Sequence, residues 1–119
     1  MNNRISKSAS ADMVDETTVS FATDIAPLFT TKDLNCMKIR QNDRGQNIAL
    51  NDYAYMGDGT GDAEHADYAN ARHVYARLTG DETPQMPMGA EKKWNAADNP
   101  VGQSNLVTYE RWMNQGFKP

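Results

Sequence analysis

A single cysteine, Cys36, stands in a chain of 119 residues. It excludes an intrachain disulfide and leaves the redox compartment unread. Long apolar runs are missing too: Met1 to Thr18 is mostly Asn, Ser, Lys and acid, without the run of about seven apolar residues that a signal peptide carries. No stretch is apolar enough to span a bilayer. Taken as written, the sequence reads as cytoplasmic; as the remainder of a chain that lost a signal, it reads as periplasmic. Positive charge is scarce, with 12 Lys and Arg against 16 Asp and Glu and a formal net charge of −4. That balance argues against nucleic acid and anionic membranes and leaves a cationic protein surface as a possible partner. A glycine-rich phosphate loop, an HExxH pair and a Ser/His/Asp order in recognisable context are all absent. The expectation is a protein that is not an enzyme.

What is present fills one modest domain. Residues 1–18 carry almost no apolar period and are expected to form a flexible leader, with the domain over 19–119. The chain is organised around Phe21 to Met37. Phe21, Ile25, Leu28 and Phe29 recur at i, i+4, i+7 and i+8, which lines one helical face behind a Ser20 N-cap. Pro27 removes a backbone donor inside that run, so the spacing predicts a kink or break there. Thr31 to Lys38 reads as a second short helical turn, with Leu34 and either Cys36 or Met37 inward.

The segment Phe21-Ala22-Thr23-Asp24-Ile25-Ala26-Pro27-Leu28-Phe29 resembles the opening of small c-type cytochrome domains, in which Cys-x-x-Cys-His follows a few residues on. Here that motif falls on Asp33-Leu34-Asn35-Cys36-Met37. Asp33 stands at the first thioether cysteine, Cys36 matches the second, and Met37 replaces the proximal histidine. The resemblance implies an all-α, cytochrome c-like bundle of about three main helices with short helical turns and long loops. It also implies that the haem motif is degenerate, because covalent haem needs both thiols and an imidazole.

Further along, Asn42 to Gln46 is a polar loop, and Ile48 to Tyr55 reads as a short semi-extended apolar segment. The run Met56-Gly57-Asp58-Gly59-Thr60-Gly61-Asp62 lacks the spacing and the final Glu of a calcium loop, so a flexible turn is the better account. Ala63 to Leu78 is read as a helix with Tyr68, Ala71, Val74, Tyr75 and Leu78 inward and Gly80 as its stop. His65 and His73 would lie two turns apart on it, away from the i, i+4 spacing of a metal pair, and read as surface residues. Met86, in Met-Pro-Met-Gly, matches the family's axial methionine by resemblance; without haem it reads as core packing from a stiff loop. Trp94 is expected over a core edge. Asn99-Pro100 opens a final helix with Leu106, Tyr109 and Met113 on one face, flanked by Val107 and Trp112, and Gly116 ends it.

These readings lead to a haem-less accessory or protein-interaction module, not itself catalytic, with no cofactor and with another protein, such as a larger enzyme, as partner. The alternative is a small electron-transfer protein holding copper, or unusually ligated haem, through the soft sulfurs of Cys36, Met37, Met86 and Met88. In the first reading those sulfurs fill the space that porphyrin would take.

Overall fold

The computed structural model describes residues 17–42, 44–87 and 92–119. The expected leader falls outside the described residues except for Thr17 and Thr18, and so does Met88. The described chain is all-α, and its one β feature is an isolated bridge between Gln41 and Asn47. A π-helical turn at Phe21–Ile25 runs into a 3₁₀ turn at Ala26–Leu28, followed by α1 (Thr31–Lys38), α2 (Tyr53–Met56), α3 (Ala69–Thr79) and α4 (Pro100–Asn114).

The opening run breaks where Pro27 predicts. Ser20 Oγ accepts from the Thr23 amide, and the π turn closes into the 3₁₀ turn that contains Pro27. Phe21, Ile25 and Phe29 are buried, so the apolar face survives the irregular backbone. In α1, Met37 is buried at 1% exposure while Cys36 is only partly covered, which settles which of the two turns inward.

The last helix crosses the first turn. Phe21 and Trp112 lie 5.6 Å apart between ring centroids, and the Phe21 amide donates to the Lys118 carbonyl at 2.9 Å. Trp112 Nε1 reaches the same carbonyl at 2.8 Å. Asn99 caps α4 by accepting from the Gly102 amide at 3.0 Å, with Pro100 in the first turn. The face of α4 differs from the expected one. Tyr109 and Trp112 are its buried side chains, with Gly102 buried at its start, while Leu106 and Met113 only flank the core and Val107 is exposed. The aromatic pair carries more apolar area, and Tyr109 ties α4 to α3 by donating from its hydroxyl to the Ala71 carbonyl at 2.8 Å.

Two stretches depart from expectation. Tyr53–Met56 is a helical turn, because Asp52 Oδ1 accepts from the Ala54 amide and starts it. More consequential is α3, which begins at Ala69 instead of Ala63. Tyr68 sits at φ +48°, and the amides of Tyr68 and Ala69 donate to the Gly59 and Thr60 carbonyls, so the chain before α3 pairs with the glycine loop. Downstream the helix follows its stripe: Ala71, Val74 and Leu78 are buried, and Gly80 at φ +88° ends it.

Candidate functional site

In the Asp33–Met37 stretch, Asp33 and Met37 have structural work. Asp33 lies at the start of α1 in a reciprocal cap: its amide donates to Thr30 Oγ1 at 3.1 Å, and the Thr30 amide donates to Asp33 Oδ2 at 2.8 Å. Its carboxyl group is buried with that cap. Met37 and Met86, each 1% exposed, line one narrow seam with Phe29, Asp33, Leu50, Leu78 and Pro87, and it has no room for water. Cys36 does not line that seam. Neither the carboxylate of Asp33 nor the thioether of Met37 fits the chemistry of covalent haem.

The large concavity is elsewhere. A cleft of about 610 Å³ opens between the 42–48 loop, the 57–64 loop, one side of α3 and the 81–83 segment. Its floor is a polar network around Asn70, which is buried at 2% exposure on the first turn of α3. Asn70 Nδ2 donates to the Tyr55 carbonyl at 3.1 Å, while Asn70 Oδ1 accepts from Asn42 Nδ2 at 3.1 Å and from Arg44. Asn42 also shapes its own loop, accepting through Oδ1 from the amides of Arg44 and Gln46.

The opposite wall is acidic and carries His73, with His65 packed behind it. Asp62 forms an Asx turn, with Oδ1 accepting from the amides of Glu64 and His65 at 2.9 Å, and this turn aims residues 64 and 65 at α3. His73, on α3, meets Asp62 Oδ2 through Nε2 at 2.6 Å and Glu82 Oε2 through Nδ1, while Glu64 Oε1 stands 3.6 Å from Nε2. The His65 and His73 rings pack edge to face with centroids 4.7 Å apart. The expectation that the two histidines sit two turns apart on one helix is therefore corrected. His65 lies in the loop, because α3 starts only after the left-handed Tyr68.

Electrostatics follow from these contacts. Burial works to lower the pKa of His73, but the hydrogen bonds to Glu82 and Asp62 outweigh it and raise the value above its ordinary 6.5. The hydrogen bond to His73, helped by backbone amides, holds the Asp62 carboxyl down at about 2. Arg77, one turn further along α3, approaches Glu82 at 3.9 Å. The wall can hold a cation or a proton, and the floor offers amide groups beside the Arg44 guanidinium.

Of the residues singled out in sequence, the structure brings Met37 and Met86 together and leaves Cys36 aside. The cluster of Asp62, Glu64, His65, His73 and Glu82 was missed, since helical spacing was applied across a segment that is not helix. The available signal was the Asp62-x-Glu64-His65 run, an Asx-turn sequence next to ligand-type side chains. No family model, no curated protein and no solved structure matches this chain.

Proposed function

We propose that this chain is a cytochrome c-like scaffold without haem that serves as a non-catalytic accessory module, binding another protein through the cleft beside α3. The observation that carries the reading is the use of Asp33: where the family has a thioether cysteine, the carboxylate caps α1 and is spent on Thr30. The burial of Met37 and Met86 around a gap too small for water supports it further, because an apolar space so filled stays dry. The cleft favours a partner that presents a basic side chain. Asp62, Glu64, Asp81 and Glu82 line it against Arg44, Arg77 and His73, and Asp81 is exposed at its rim.

The test is a photo-crosslinking residue at Thr83, exposed on the cleft lining, used in cells of the source organism. A discrete adduct with one partner, lost on Asp81→Lys, is the expected result. An absence of adducts, or an adduct indifferent to that reversal, contradicts a cleft that docks a basic surface.

A further inference from the structure

The chain has two histidines, and the fold places both in one cluster with Glu64 and Glu82, drawn from the 62–66 loop, α3 and the segment after α3. One ligand atom from each of these four residues lies within 4.8 Å of the others. We infer that Glu64, His65, His73 and Glu82 form a binding site for a divalent ion of the zinc class. The inference does not rest on the haem-less reading, since none of these residues belongs to the degenerate motif.

Chemistry selects the ion. Two imidazole nitrogens with two carboxylate oxygens are a borderline donor set, suited to Zn²⁺ and its neighbours, whereas Ca²⁺ takes oxygen alone and Cu(I) prefers sulfur. A tetrahedral site with bonds of about 2.1 Å sets its ligand atoms about 3.4 Å apart. The four ligand atoms therefore have to close by at most about 1.4 Å from the observed 4.8 Å. Glu64, whose side chain is 68% exposed, has the freedom to supply much of that movement.

The surroundings also fit. Both nitrogens of His73 face carboxylates, Nδ1 toward Glu82 and Nε2 toward Asp62. With Nδ1 turned to the ion beside Glu82, Nε2 keeps Asp62, a carboxylate outside the ligand set that orients the ring, which is the usual outer support of a metal-bound histidine. Two glutamates balance the charge of a divalent ion. Glu64, His73 and Glu82 line the cleft, so the ion has an entry path. Once bound, it clips the 62–66 loop to α3 and to the segment after it.

The full chain, stripped with chelator, is titrated with Zn²⁺ by calorimetry, and Co²⁺ is used as a spectroscopic stand-in. The expected result is one equivalent bound, a rise in thermal midpoint, and a visible Co²⁺ band of tetrahedral intensity. His65→Asn and His73→Asn should each weaken Zn²⁺ by at least about ten-fold, and Asp62→Asn by about ten- to a hundred-fold through loss of ring orientation. Met37→Leu with Met86→Leu should leave the affinity unchanged, which separates this site from a sulfur site. Circular dichroism of each variant checks that it folds; if His73→Asn unfolds, the exposed-side variant Glu64→Gln and His65→Asn decide. No uptake by the folded chain, uptake of Ca²⁺ in preference to Zn²⁺, or Zn²⁺ affinity indifferent to His65 would overturn the inference.

Discussion

Thr30 and Asp33 hydrogen-bond each other in both directions at the start of α1, at 3.1 Å and 2.8 Å. This reciprocal cap satisfies two amides that a helix start leaves without partners. Thr30→Ala and Asp33→Ala should each lower stability by about 1 kcal/mol, and the double variant by less than their sum. Asp33→Cys should cost about as much as Asp33→Ala, since neither residue can accept from the Thr30 amide as the carboxylate does. Urea denaturation measures all of these, and a neutral Asp33→Ala would show that the cap is idle.

Met37 and Met86 line one tight seam with Leu50 and Leu78, and packing shape is expected to decide what can replace them. Conservative Met86→Leu or Met37→Leu should change stability by less than about 1.5 kcal/mol. Met86→Ala should cost about 2 to 5 kcal/mol, because the seam would widen. Equal losses for Leu and Ala would point instead to a specific role for the thioether.

For His73 the pH dependence has a definite sign. Its folded pKa is raised above 6.5, so its ion pairs stabilise the fold fully below about pH 6.5, and that contribution is lost as pH rises through the raised value. Asp62 works at the other end: its depressed pKa of about 2 gives a contribution present above about pH 3.8 and lost as pH falls toward 2. In chelator-treated protein, His73→Gln should flatten the fall in stability on the alkaline side of neutrality. Parallel stability curves for the two proteins would contradict the raised value.

Gly102 is enclosed. A Cβ there would stand 2.6 Å from Trp94 Cα and 2.8 Å from the Trp94 carbonyl oxygen, contacts with backbone that cannot swing aside. Although alanine is the better helix former, Gly102→Ala should destabilise by about 1 to 3 kcal/mol through overpacking. Thermal unfolding of this variant also tests the placement of Trp94, which stacks on Phe29 with centroids 5.5 Å apart. A stabilised Gly102→Ala would mean that the Trp94 loop lies elsewhere.

Much of the fold was legible where local rules act alone. The apolar spacing of Phe21, Ile25 and Phe29, the break at Pro27, the Gly80 stop and the Asn99-Pro100 start all depend on neighbours in sequence. The Thr30-x-x-Asp33 cap was equally readable, yet it went unread because Asp33 was set against a haem motif. The start of α3 was not legible by periodicity. It depends on pairing between the 59–60 carbonyls and the 68–69 amides, and on a left-handed tyrosine that no spacing rule anticipates. The histidine cluster went with it, since its members meet only after the Asp62 turn folds back on α3.

In the proposed haem-less reading, Asp33 and Met37, which stand where the resembled motif has a cysteine and a histidine, leave the chain without covalent haem. The direct measurement is an intact mass and a visible absorption spectrum of the full chain, produced in a host competent for cytochrome c maturation. The expected result is the mass of the unmodified polypeptide, no Soret band and a folded circular dichroism spectrum. A Soret band accompanied by a haem adduct on Cys36 would contradict the account and make the region of Met37 and Met86 a redox site.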